Sequence, residues 1–152
     1  MKRAWLSISW LVVLLAFTSC QRTEKAAVVD VQFGVDTCAQ CGSTIQDPKF
    51  ASLYTLNDGG SRLFDDPGCL FRKLREETSD PVLLVFHEYQ GSDWLEGDEV
   101  FFAQTPAIQS PQGYGWAAYG SFGDAQTAVT SAGSGELLSL PQAKEKIGVS
   151  SP

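Results

Sequence analysis

The chain has 152 residues, 18 of them acidic and 11 basic, which gives a formal net charge of −7 at neutral pH. This balance argues against a nucleic-acid-binding protein, because a phosphate backbone attracts basic surfaces. It is typical of a solvated acidic exterior, and it also suits a basic partner or a cation in transit.

The first residues are typical of an exported protein. Lys2 and Arg3 precede the apolar run Ala4–Phe17, which is too short for a dependable membrane-spanning helix and predicts a signal peptide over residues 1–19. The run ends in the letters FTSC, which resemble a lipobox, so Cys20 is predicted to become the lipidated first residue of the mature chain, carrying acyl chains such as palmitate. An ordinary cleaved signal with an incidental Cys20 is the alternative.

Lipidation would hold the mature protein on a membrane surface. Gln21 stands where an aspartate would retain a lipoprotein at the inner membrane, so the predicted location is the cell envelope, at the periplasmic face of the outer membrane. Loss of the signal leaves nine basic against 18 acidic residues, a net charge of −9. Residues 20–27 are predicted to be a tether, residues 28–148 one domain, and residues 149–152 a tail.

The first half of the domain predicts strands, a hairpin and a helix. Val28–Val35 alternate well enough for a strand leading to a loop with the Cys-x-x-Cys pair. The strand-like runs FASLYTL and SRLFD flank Asn57–Gly60, whose residues tolerate the positive φ angles of a tight hairpin. A helix is predicted next, with Asp66 as N-cap and Pro67 at its first position, and the strand VLLVFHEY follows from Val82.

The second half repeats this order of elements. VFFAQ and GWAAYGS predict strands joined by a loop over Thr105–Gly115, Ser121 and Asp124 stand at capping-box spacing before a helix that ends near Ala132, and ELLSL predicts a further strand. The sequence therefore predicts an α+β domain of mainly antiparallel strands with two helices, arranged as duplicated ββα(β) units. The segment PQAKEKIGVSSP, residues 141–152, is predicted to add a helical turn and then to fray.

The cysteines raise the functional question. Acylation of Cys20 would leave Cys38, Cys41 and Cys69, and an odd number of thiols cannot all pair within one chain. A disulfide between Cys38 and Cys41 is sterically feasible, but it would close a very short loop and leave Cys69 unexplained. A thioredoxin-like centre is disfavoured because Gly42 follows the pair and no βαβ unit surrounds it.

A metal site accounts for all three thiols. Cys69 falls in the first turn of the predicted helix, where unpaired N–H groups favour a thiolate. Three thiolates suit Cu(I), whereas zinc requires a fourth ligand, for which His87, the only histidine, is the candidate. Structural zinc is the alternative metal reading.

Asp65 and Asp66 are assigned to strand exit and N-capping rather than to acid–base catalysis. The chain has no phosphate-binding loop, nucleophile elbow or Ser/His/Asp constellation, so the sequence predicts a protein that is not an enzyme.

Several segments together resemble the NosL family of copper-binding accessory lipoproteins, which are associated with the assembly of nitrous oxide reductase. The specific matches are CAQCGS at Cys38–Ser43 and FDDPGC at Phe64–Cys69. Trp94 after FHEY and SPQGYGWAAYG at Ser110–Gly120 are looser matches. The resemblance implies a pair of related ββα-type units, as in organomercury lyase relatives.

Two positions depart from the family pattern. Ser43 and Gln112 stand where the family has methionine, and the only methionine of the chain is Met1, so thioether ligation is excluded. Any Cu(I) then rests on Cys38, Cys41 and Cys69, with His87 as the candidate fourth ligand.

The sequence therefore predicts a membrane-anchored Cu(I) metallochaperone. It would deliver copper to an apo-metalloenzyme, with nitrous oxide reductase as a candidate client, or exchange it with membrane copper-delivery proteins. A disulfide-stabilised interaction lipoprotein without metal is the alternative from a different class.

Overall fold

The computed structural model describes residues 30–148, which form two antiparallel sheets and three α-helices. The predicted signal peptide, Cys20, the tether and the predicted tail at residues 149–152 lie outside the described residues. In the described part, no helix is both long and apolar enough to span a bilayer.

The first unit is a hairpin followed by a helix and two further strands. Its elements are β1 (Ser52–Thr55), β2 (Ser61–Phe64), α1 (Pro67–Leu74), β3 (Leu83–His87) and β4 (Trp94–Glu96). Strand β1 lies between β2 and β3, antiparallel to both, and β4 pairs with the outer edge of β3. The hairpin turn falls on the predicted segment, where Gly59 adopts a φ of 81°. The predicted hairpin and first helix are confirmed.

The second unit has the same plan. Its elements are β5 (Phe101–Gln104), β6 (Trp116–Tyr119), α2 (Phe122–Ala132), β7 (Glu136–Ser139) and α3 (Leu140–Ile147). Strand β5 lies between β6 and β7, antiparallel to both, as β1 does between β2 and β3. The predicted α+β class and the repeated ββαβ order are therefore both observed.

The two units share one core around α1. Six of the eight residues of α1 are buried, which its apolar positions one turn apart allow. The ring of Phe71 has its centroid 5.8 Å from that of Phe86 in β3, 5.3 Å from that of Phe102 in β5 and 5.1 Å from that of Trp116 in β6. Helix α1 thus packs against both sheets, and its N-terminus lies at their junction.

Helix α2 has the predicted ends and a more exposed position. The Ser121 hydroxyl caps the helix by accepting a hydrogen bond from the Asp124 backbone N–H at 3.1 Å, and Gly133 ends the helix at a φ of 67°. Only Ala125 of its eleven residues is buried. The cap and turn residues fixed the bounds of α2 without help from deep packing.

One prediction about secondary structure is wrong, and another is too short. The described part of the predicted strand Val28–Val35 is not a strand, because Gly34 adopts a φ of 82° and the N–H groups of Val35 and Asp36 both donate to the Gln32 carbonyl, which makes a turn. The predicted C-terminal helical turn is present and is longer than expected: it forms the two-turn helix α3, whose capping box joins Ser139 and Gln142. Strand β4 was also not predicted.

Candidate metal centre

The Cys-x-x-Cys pair lies on a tight loop that is fixed by its own backbone. Thr37 and Thr44 form an isolated β-bridge, the Cys38 N–H donates to the Ser43 carbonyl at 2.8 Å, and the Gly42 N–H donates to the Cys38 carbonyl at 2.9 Å. Gly42 adopts a φ of 77°, which a residue with a Cβ would reach only with strain. These bonds fold the loop back on itself and bring its two thiols close together.

The third thiol is set by the start of α1. The Asp66 carboxylate caps the helix by accepting from the Gly68 N–H at 2.8 Å, and Pro67 occupies the first turn. Cys69 follows in that turn and is fully buried. The Ala39 N–H donates to the Leu63 carbonyl of β2 at 2.8 Å, which joins the cysteine loop to the hairpin that leads into α1.

These elements bring four donor groups together: Cys38, Cys41, Asp65 and Cys69, whose ligand atoms all lie within 4.8 Å of one another. For comparison, a tetrahedral ion with metal–sulfur bonds of about 2.3 Å separates its sulfur ligands by about 3.8 Å. The four ligand atoms need to move only slightly closer together to bind one ion. The donor set of three soft sulfurs and one carboxylate oxygen fits a soft or borderline metal.

The thiols influence one another's protonation. The Cys69 thiol donates a hydrogen bond to Cys38 and lowers the pKa of Cys38 to about 6. The same bond, together with burial, raises the pKa of Cys69. Desolvation of its sulfur raises the pKa of Cys41, although the residue as a whole is exposed. Cys38 is therefore the thiol of the cluster that loses its proton most readily.

Asp65 was assigned to strand exit, and the structure gives it a second place as the fourth member of the cluster. It is 3 % exposed, and the Cys41 sulfur lies 3.5 Å and 3.6 Å from its two carboxylate oxygens. Asp66 does cap the helix, as predicted. Only one of the two adjacent carboxylates can serve as the N-cap of α1. The second carboxylate has no such role, and this was the signal in the sequence that could have identified Asp65 as a candidate ligand.

A loop from the second unit covers the cluster. The Gln112 side-chain amide donates to Asp65 Oδ2 at 2.7 Å and to the Ser43 hydroxyl at 3.3 Å, and the Gln112 backbone N–H donates to Asp66 Oδ2 at 3.0 Å. Burial raises the pKa of Asp66 despite this bond. Ser43 and Gln112, which stand where the resembling family has methionine, therefore lie beside the cluster and contact each other.

The cluster has one open side. Cys38 is 3 % exposed and Cys69 is 0 % exposed, whereas Cys41 is exposed to solvent. The Tyr114 ring packs against Gly68 at the start of α1, where an added Cβ would lie 2.4 Å from the ring. A ligand from another molecule can therefore reach the cluster beside Cys41.

The structure does not bring His87 into this group. Within the described residues, its Nδ1 lies 3.0 Å from the Glu88 carbonyl, and its ring packs edge-on against Trp94 with centroids 5.1 Å apart. His87 pairs with Trp94 across β3 and β4, so the strand register fixes it there. Asp65, not His87, is the residue beside the three thiols.

The cysteines of the described part are all free thiols. The structure therefore has no disulfide between Cys38 and Cys41 within residues 30–148, and it does not support the hypothesis of a disulfide-stabilised lipoprotein.

No family model matches the chain, and no curated protein matches it. A solved structure does: the crystal structure of the copper chaperone NosL from Shewanella denitrificans superposes with a TM-score of 0.62. The alignment covers 74 % of this chain and 91 % of the crystallised one, at 17 % sequence identity. The chain has a NosL-like fold. At this identity the NosL likeness concerns the fold, and the function rests on the cluster itself.

Proposed function

We propose that the protein is a Cu(I)-binding metallochaperone of the cell envelope, held on a membrane by a lipid at Cys20. The observation that carries this proposal is the convergence of three sulfur atoms from two segments, Cys38 and Cys41 on a loop and Cys69 on a helix, within 4.8 Å of one another. Cys69 lies about 30 positions along the chain from the other two cysteines, and only folding brings it to them.

Thiolates favour a soft monovalent ion. Cu(I) prefers sulfur donors and accepts three of them in a plane, and the described residues contain no thioether that could compete. The NosL-like fold adds support, since the crystallised neighbour is a copper chaperone.

The open side of the cluster favours transfer over permanent storage. An incoming thiolate or imidazole of an acceptor protein can bind the ion beside Cys41 before the buried Cys38 and Cys69 release it. Such ligand exchange changes no oxidation state and needs no catalytic group. The proposed acceptors are an apo-metalloenzyme, with nitrous oxide reductase as a candidate, and the proposed donors are membrane copper-delivery proteins.

Anaerobic titration of Cu(I) against a chromophoric Cu(I) chelator tests the proposal. The wild-type domain is expected to bind one ion, and Cys69→Ala is expected to lose more affinity than the roughly 10–100-fold that loss of an outer hydrogen-bond partner costs. Asp124→Ala is the matched control, because Asp124 holds the same place in the first turn of α2, away from the thiols. Equal affinities of wild type and Cys69→Ala would refute the three-thiolate site.

Zinc is the second candidate, and Asp65 is the observation that favours it. Zinc in structural sites takes four ligands, and Asp65 supplies the fourth that the thiols alone lack. Metal analysis of the protein isolated from the cell envelope separates the two candidates, since zinc retained in stoichiometric amount would favour a structural zinc protein.

A further inference from the structure

The Asp65 carboxylate is buried without a cation. It is 3 % exposed, and no Lys, Arg or His side chain within residues 30–148 lies within ion-pair distance of it. A buried carboxylate ordinarily has a charged partner, because leaving water is costly for an ion. Two partners face Asp65 here, the Cys41 sulfur and the Gln112 amide.

Gln112 is held by hydrogen bonds from both its backbone and its side chain. Its backbone N–H bonds to Asp66 at 3.0 Å, which fixes the main chain against the start of α1, and its side chain bonds to Asp65 at 2.7 Å and to Ser43 at 3.3 Å. The amide donates to Asp65 Oδ2 and so orients the carboxylate, whose two oxygens lie 3.5 Å and 3.6 Å from the Cys41 sulfur. A hydrogen bond to one oxygen of a ligating carboxylate is the usual outer support of a metal ligand.

The two ions differ in their need for this oxygen. Zinc completes a tetrahedron with a carboxylate oxygen, whereas Cu(I) gains little from a hard donor and is satisfied by three thiolates. A divalent ion also offsets more of the negative charge of three thiolates and a carboxylate than a monovalent one does. Asp65 therefore contributes to the affinity of the site for a divalent ion and hardly to its affinity for Cu(I).

We propose that Gln112 is a specificity-determining positioning residue. By holding Asp65 beside the thiols, it lets the site bind a four-coordinate divalent ion of the zinc class in addition to Cu(I). This inference rests on the proposed function, because it needs the three thiols to bind a metal. Beyond the proposed function, the inference adds a second class of ion that the site binds and names the residue that controls the binding of this ion.

The test measures two affinities in the same variants of the reduced mature domain. Zn²⁺ is titrated against a chromophoric zinc chelator, and Cu(I) is titrated in parallel against its own chelator. Gln112→Leu removes the amide donor and keeps the bulk of the side chain. Gln109→Leu is the matched control, because Gln109 lies on the same loop and its side-chain amide donates to the Pro106 carbonyl, at 3.2 Å, rather than to Asp65.

Gln112→Leu is expected to weaken Zn²⁺ binding by about 10–100-fold and to change Cu(I) binding by less than about 3-fold. Gln109→Leu is expected to change neither. Asp65→Asn, which keeps the shape of the side chain and removes its charge, is expected to show the same split, and this second variant serves if Gln112→Leu does not fold. Co²⁺ titration gives a further readout, since the ligand-field spectrum of tetrahedral Co²⁺ should be lost or altered in both site variants and kept in Gln109→Leu.

An equal loss of both affinities in Gln112→Leu and Asp65→Asn, or unchanged Zn²⁺ binding in both, would overturn the inference while leaving Cu(I) binding in place. A wild-type domain that binds neither ion would instead overturn the proposed function.

Discussion

The starts of α1 and α2 are two versions of the same local structure with different surroundings. Each helix follows the second strand of a hairpin, begins at an N-cap side chain and has glycine at its second position, Gly68 in α1 and Gly123 in α2. Helix α1 buries six of its eight residues, and α2 buries only Ala125. Capping alone is therefore enough to begin a helix, whereas a site forms where other segments cover the start of the helix.

The first prediction addresses burial and has the largest expected effect. Phe71→Ala should lower the free energy of unfolding by about 3–5 kcal/mol, because its ring joins both sheets in the shared core. Val129→Ala, on the half-buried face of α2, should cost about 1 kcal/mol. Chemical denaturation of the two variants measures both, and similar losses would contradict the asymmetry between the helices.

The second prediction concerns the pH dependence of Cu(I) binding. The third residue of α1 is the thiol Cys69, whereas the third residue of α2 is the carboxylate Asp124. Since the pKa values of Cys41 and Cys69 are raised, each should give up a proton when Cu(I) binds at pH 7, and the affinity should fall about 100-fold for each unit of decreasing pH. Below about pH 6, Cys38 should take up a third proton and the fall should steepen. Competition titrations over a pH series measure the slope, and a flat profile would contradict it.

The third prediction compares the two glycines. Gly68→Ala should destabilise the domain by about 1–3 kcal/mol, because the new methyl group would lie 2.4 Å from the Tyr114 ring and force it to move. Gly123→Ala should be neutral or stabilising by up to about 1 kcal/mol, because only the Ser121 hydroxyl lies near, at 3.7 Å. Thermal unfolding of the pair tests this, and equal melting temperatures would show that Tyr114 does not confine the start of α1.

The fourth prediction compares the two caps and has the smallest effect. Ser121→Ala should cost about 0.5–1 kcal/mol, and Asp66→Ala should cost about 1–2 kcal/mol, because it also leaves the Gln112 N–H without its acceptor. Asp66→Asn keeps an acceptor at the cap and should lie between Asp66→Ala and wild type. A larger loss in Ser121→Ala than in Asp66→Ala, measured by denaturation, would contradict the extra bond.

Short-range signals predicted most of the fold. Asn57–Gly60 specified the hairpin, Asp66 and Pro67 specified the start of α1, and Ser121 and Gly133 bounded α2. Each acts through backbone atoms a few residues away, so its effect does not depend on the rest of the molecule. The turn at Gln32–Val35 was not predicted, because the alternating side chains of Val28–Val35 are typical of a strand and only Gly34 favours a turn.

The candidate site was predictable in part. The odd number of cysteines and the helix-start position of Cys69 identified the three thiols that the structure brings together. The position of His87 was not predictable, because a lone imidazole has no local signal that tells which neighbour it faces, and the register of β3 and β4 places it against Trp94.

The sequence by itself determined most of the elements, the repeated order of the two units and the thiols that are available to a soft metal, since caps, turns and residue types act locally. Only the tertiary structure decided that Asp65 joins the thiols and that Gln112, 47 residues further along the chain, holds its carboxylate. That contact depends on how the second unit packs over the start of α1, and packing between distant segments leaves no periodic or short-range pattern in the chain.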